Sequence, residues 1–266
     1  MPILISGGDS FTWGRELPDQ INENPSKLTW ASLLAQKLNR EYICTAKPGG
    51  ANNTITRKVI KEISYHKNED IAVVVMWTYT HRNEIRLRNC YPYNTIVHDV
   101  EYKKNFEIDD YFINFNAWHG LSFEEKMSFF SKNVDEGTRK FFQLQHEKLT
   151  ELGITTAANE FYKVTGDAIS HHHNTLKDII LLQFYLEKRN IPYIFCSATT
   201  ELFDKQPPQI YECGLWDEIN WNNWYKEDGF HVWSQKNNYE FCGNHPGLEA
   251  HQDWFNLIMP KISAIF

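Results

Sequence analysis

Seven consecutive apolar residues, Ile71-Ala-Val-Val-Val-Met-Trp77, form the longest uninterrupted apolar run of the chain. A helix needs roughly 20 such residues to span a bilayer, so this run predicts no transmembrane segment. Short, β-branched and apolar on both faces, it reads as a strand of a parallel sheet covered by helices on each side. The neighbouring segments carry the matching alternation. Ile3-Leu-Ile5 runs into the turn-forming cluster Gly7-Gly8-Asp9-Ser10, and Trp30, Leu33, Leu34 and Leu38 then recur at helical spacing. Tyr42-Ile43-Cys44 offers a second strand, Lys47 to Asn53 a loop, and Ile55, Val59, Ile60 and Ile63 another helical stripe. Leu176, Ile179, Ile180, Leu182 and Leu186 mark a further helix, Pro192 to Ser197 a strand, and Gly247 to Ile262 a closing helix. The fold predicted is a doubly wound α/β domain. At roughly 150 residues per domain, 266 residues lie between one and two domains. The reading is one domain over 1–266 with an insertion at about 83–165, where charged and aromatic residues mix and a helix is expected from Phe123 to Leu152.

Composition removes several function classes. Lysine and arginine number 27 against 34 aspartates and glutamates, a net charge of -7, which disfavours nucleic acid as a partner. Apolar residues at 42% and aromatics at 15% supply a packed core and exclude wholesale disorder. Ile3 to Ile5 is too short for a signal-peptide core and no basic residue precedes it, so a cytoplasmic location without membrane association is expected. The five cysteines are widely spaced with no C-x-x-C pair, which indicates neither a disulfide framework nor a zinc knuckle.

In a doubly wound sheet ligands sit beyond the carboxyl ends of the strands. Three loops fall on that rim: Gly8-Asp9-Ser10, Gly49-Gly50-Ala-Asn52-Asn53 and Thr78-Tyr-Thr80-His81. A serine on a tight turn after a strand exposes its Oγ and can aim its own N–H at a developing oxyanion, which makes Ser10 the nucleophile candidate. The same three residues also make an ordinary turn, in which Asp9 accepts backbone N–H groups. A serine needs a base, and His245 stands in Gly243-Asn-His-Pro-Gly-Leu-Glu-Ala-His251, held extended by Pro246 just before the last helix.

Gly8-Asp9-Ser10-Phe11-Thr12-Trp13-Gly14 resembles the first sequence block of the GDSL/SGNH hydrolases, and His245-Pro246 before a helix resembles their last. The opening block and the His-Pro-Gly-x-x-Ala-His ending are similar to those of divergent members in phage and bacterial genomes. The resemblance implies a three-layer α/β/α sandwich with a mostly parallel, flavodoxin-like sheet. It implies a metal-independent esterase or deacetylase with Ser10 as nucleophile and His245 as base. It places the oxyanion among the N–H groups of Ser10 and Gly50, with a side chain from block three.

The departures from that pattern are as informative. Cys242, not aspartate, stands three residues before His245, and loss of a triad carboxylate can cost on the order of 10⁴ in turnover. Asp228-Gly-Phe-His231 has the D-x-x-H spacing, which makes His231 an alternative base and Asp228 a possible acid for His245. No G-x-N-D follows the third strand, so Asn53, Asn52, Thr78 or Thr80 would have to supply the side-chain donor. Arg82 could hold an acidic group of the substrate or serve as a surface residue. His171, His172 and His173 at a helix start point in different directions and are expected to be solvated, so no metal and no cofactor is expected. Trp216, Trp221, Trp224, Tyr225 and Trp233 either line a sugar-binding cleft or form core under a long loop, core being the commoner fate. The reading is a serine esterase acting on a small-molecule or saccharide ester, most simply an acetyl ester. An acyltransferase on the same fold and a catalytically degenerate ligand-binding protein are the alternatives.

Overall fold

A computed structural model describes residues 2–20, 24–86, 112–115, 120–128, 136–151, 153–204, 207–226 and 228–266. Four parallel strands organise it: β1 (Ile3–Gly7), β2 (Glu41–Cys44), β3 (Ile71–Trp77) and β6 (Tyr193–Ser197), in the order β2-β1-β3-β6. Ile5 pairs with both Ile43 and Val73, and Val75 with Phe195. Every residue of β1, β3 and β6 is buried, as strands apolar on both faces require.

Alternating side chains send the strands' two halves to opposite faces. Leu4, Ala72, Val74, Met76, Ile194 and Cys196 pack in one cluster with α2 (Trp30–Lys37), α9 (Phe230–Lys236) and α10 (Leu248–Ser263) through Trp30, Leu34, Phe230, Trp254 and Ile258. On the other face α3 (Asn52–Tyr65) brings Ile55 and Val59 against Gly7 and Val75. The result is the expected α/β/α sandwich with a parallel sheet. Helix α2 starts where Thr29 Oγ1 accepts from Ser32 N (3.2 Å), and His251 Nδ1 of α10 accepts from Trp30 N (3.3 Å), tying the two helices at a helix end that would otherwise carry an unpaired donor.

The chain leaves β1 for β2 on one side and returns to β3 on the other. That reversal is the topological switch point, and the residues after Gly7 and Trp77 stand at it, beyond the strand ends where open α/β sheets bind their ligands.

The chain divides into two compact units, Met1–Thr80 with His172–Phe266, and His81–His171. In the second, β4 (Asn83–Arg86) pairs antiparallel with β5 (Phe112–Phe115), and the helices are α4 (Phe123–Ser128), α5 (Glu136–Glu151) and α6 (Ile154–Thr165). The single helix expected over 123–152 is therefore two; residues 129–135 and Leu152 lie outside the described residues. Helix α7 (Ala168–Glu187) precedes β6. The aperiodic stretch 201–244 holds α8 (Pro208–Glu212), two 3-10 turns, α9 and the two-residue strands β7 (Phe241–Cys242) and β8 (His245–Pro246), each too short to show a period. Among the described residues no helix is long and apolar enough to cross a membrane.

Candidate active site

The turn after β1 is set by close packing. A Cβ on Gly8 would stand 2.2 Å from Thr12 Oγ1, so only glycine fits where the chain folds over α1 (Ser10–Trp13). Asp9, fully buried, caps that short helix: its Oδ1 accepts from Phe11 N (3.0 Å) and its Oδ2 from Thr78 Oγ1 (2.6 Å). Asp9 thus holds the turn as expected and also pins it to the end of β3. Ser10 is the first residue of α1, with 8% of its surface exposed. Among the described residues its N–H and Oγ take part in no hydrogen bond; only its carbonyl does, accepting from Gly14 N (2.9 Å) and Arg15 N (3.1 Å).

The loop after β2 lies beside this turn, with Lys47 N donating to Gly8 O (3.1 Å). Two of the expected oxyanion donors are committed within the fold. Gly50 N donates to Lys47 O (2.8 Å), closing the loop's own turn, and the Thr78 hydroxyl donates to Asp9. The loops spend both groups on their own backbone and on a buried carboxylate that needs donors. Asn52 is equally spoken for, its side chain bridging Thr78 N (2.9 Å), Thr78 O (3.3 Å) and Thr175 Oγ1 (3.0 Å). Thr80 places its N–H and hydroxyl on Glu201 Oε2 at 2.9 and 3.1 Å. Asn53, partly exposed in the first turn of α3, accepts from Thr54 N at 3.0 Å through its Oδ1. Arg82 belongs to the second compact unit.

The two histidines flank Phe11, the residue after the serine. His231 stacks on its ring (centroids 5.5 Å apart, 22°), and His245 meets it edge-on (5.5 Å, 65°). Burial, and then the nearby His245, push the His231 imidazole toward its neutral form, with Asp9 opposing. The acid proposed locally for this pair does not reach either ring: Asp228 Oδ1 is bonded to Lys236 Nζ at 2.7 Å. The carboxylate on His245 is that of Glu16. Its Oε2 lies 2.7 Å from His245 Nδ1 and accepts from Asn244 N at 3.2 Å.

Two left-handed positions make that contact. Gly14 ends α1 at φ 76°, and Glu16 itself adopts φ 69°, turning its side chain toward the β7–β8 hairpin. Gly243, at φ 58°, leaves room for it: a Cβ there would meet Glu16 Oε2 at 2.5 Å. No local pattern announces Glu16 as a partner of His245, because 229 residues separate them.

Among the described residues Ser10 Oγ and His245 Nε2 share no hydrogen bond. The histidine run departs from expectation. His171 and His172 are buried rather than solvated, His172 Nε2 lying 2.9 Å from Glu201 O. Among the described residues no group of three metal-ligating side chains forms. The tryptophans pack on one another at tilted angles, Trp216 on Trp221 (4.5 Å, 43°) and Trp221 on Trp224 (5.2 Å, 51°), with Trp224 buried and the other two partly exposed.

No family model matches the chain, and no curated protein matches it. Among solved structures it is similar to a chain from a study described as "The active site of a carbohydrate esterase displays divergent catalytic and non-catalytic binding functions". The match has a TM-score of 0.41 and 12% identity, and covers 98% of this chain and 68% of that one.

Proposed function

We propose that this chain is a metal-independent serine esterase of SGNH type. Ser10 Oγ attacks the acyl carbonyl as His245 Nε2 takes its proton. The alcohol then leaves with that proton, and a water activated by the same imidazole hydrolyses the acyl-enzyme. The observation that carries this reading is Ser10 itself: a serine at the switch point, with both N–H and Oγ unengaged, one residue before the ring against which His245 packs. The oxyanion falls to the Ser10 N–H, with Asn53 in the first turn of α3 proposed as the side-chain donor. With Gly50 and Thr78 committed elsewhere, the hole is a reduced one, and each missing donor is worth about 10² to 10³ in rate. The acyl group proposed is a small one, acetyl, on a saccharide or other small-molecule alcohol.

The same two committed donors favour a second reading, a ligand-binding protein that has kept the fold and lost turnover. Labelling with a serine-directed fluorophosphonate, followed by peptide mapping, separates them. An adduct on Ser10, absent from Ser10→Ala, is the result expected of the esterase. No adduct under conditions that label a control esterase overturns it.

A further inference from the structure

We infer that Glu16 is the acid of the catalytic constellation, supplied from the end of the nucleophile's own helix and not from the histidine's loop. The inference rests on the Ser10–His245 reading. An ionised carboxylate can only accept, so the 2.7 Å contact of Glu16 Oε2 assigns the hydrogen to His245 Nδ1 and leaves Nε2 with the lone pair that the serine proton needs. When Nε2 takes that proton, the imidazolium lies against the Glu16 carboxylate. Among the described residues the titratable groups around the His245 ring are Glu16, Cys242 across the hairpin, His231 across Phe11, and His251. Of these only Glu16 makes a hydrogen bond to the ring.

Three features indicate that the position is built for this carboxylate. Glu16 holds a left-handed backbone conformation that a β-carbon disfavours, at φ 69°. Gly243 vacates the volume the carboxylate occupies. Asn244 N supplies a second donor to the same oxygen, Oε2, at 3.2 Å. Cys242, which occupies the family's usual acid position, pairs across the hairpin with His245 and carries a thiol where the family has a carboxylate.

The test measures the second-order rate of fluorophosphonate labelling, and kcat and KM for a chromogenic acetate ester, in wild type, Ser10→Ala, His245→Ala, Glu16→Gln, Glu16→Asp and Glu16→Gln/His245→Ala. Glu16 is 40% exposed, so water screens part of its effect, and a loss of about 10² to 10³ is expected for Glu16→Gln, in kcat and labelling rate with KM little changed. Glu16→Asp should recover part of it, and Glu16→Gln should add nothing to His245→Ala. Glu16→Gly, which suits the left-handed backbone, guards against a variant that fails to fold and should show the same loss. Wild-type rates in Glu16→Gln and Glu16→Gly, with Ser10→Ala and His245→Ala both dead, would reduce Glu16 to a latch on the hairpin and leave the esterase reading intact. A full additional loss in the double variant would also overturn the inference, since Glu16 would then act other than through His245. An unlabelled wild type, or a labelled Ser10→Ala, would remove the esterase reading and this inference with it.

Discussion

Two short segments near the carboxyl end, Asp228-Gly-Phe-His231 and Cys242-Gly-Asn-His245, place a residue three positions before a histidine, and the structure reverses what their sequences suggest. The first has the carboxylate but not the contact. Gly229 caps α9 with extended backbone, so Asp228 stays outside the helix and pairs with Lys236 while His231 lies on Phe11. The second lacks the carboxylate but has the geometry. Cys242 and His245 are direct partners in the antiparallel β7–β8 pair, where cross-strand side chains share a face. The carboxylate that reaches that hairpin is the Glu16 side chain. Spacing makes two side chains partners only when the intervening backbone turns them to the same side.

The largest expected effect sharpens this contrast directly. His245→Ala should lower fluorophosphonate labelling of Ser10 by about 10⁴ or more, the scale set by removing a triad base. His231→Ala and Asp228→Asn should each cost less than about tenfold, because neither makes the polar contact that orients a base; a reversed ranking, read from labelling rates, would move the base to His231. Next comes the space Gly243 provides. Gly243→Ala puts a methyl 2.5 Å from Glu16 Oε2 and should lower labelling by roughly 10² without removing any polar group, an outcome checked against Tm to exclude unfolding.

The smallest effect concerns stability beneath the hairpin. Burial, and then His245, push the His251 pKa down to about 3. The unfolded chain therefore binds a proton at this site that the folded chain does not, and stability is full above the ordinary histidine pKa of about 6.5 and falls as pH drops from there toward 3. Over two pH units below 6.5 this site should cost roughly 2 kcal/mol, the same order as a typical core defect. His251→Asn, which keeps an acceptor for Trp30 N, should flatten the acid side of a Tm-against-pH profile, and an unchanged slope would place the titrating group elsewhere.

Much of the architecture was legible because it follows from local regularity. The all-apolar run 71–77, the helical stripes at 30–38 and 55–63, and the turn residues after Ile5 each depend on neighbours within a few positions, and they predict β3, α2, α3 and the Ser10 turn. Right-handed crossovers then limit the possible topologies, and β2-β1-β3-β6 is the one the chain adopts. The donors were not legible. Whether the Gly50 N–H or the Thr78 hydroxyl is available depends on Lys47 O and on the buried Asp9 carboxylate, which claim them.

By itself the sequence determined the alternation of strands and helices, the serine on the first turn and the histidine before the last helix, since hydrophobic periodicity and turn chemistry act over a few residues. Only the tertiary structure decided which carboxylate meets His245, which donors remain near Ser10, and that His171 and His172 are buried. Those outcomes depend on contacts between segments far apart in the chain, and on single backbone angles such as those of Glu16 and Gly243, for which no short-range pattern exists.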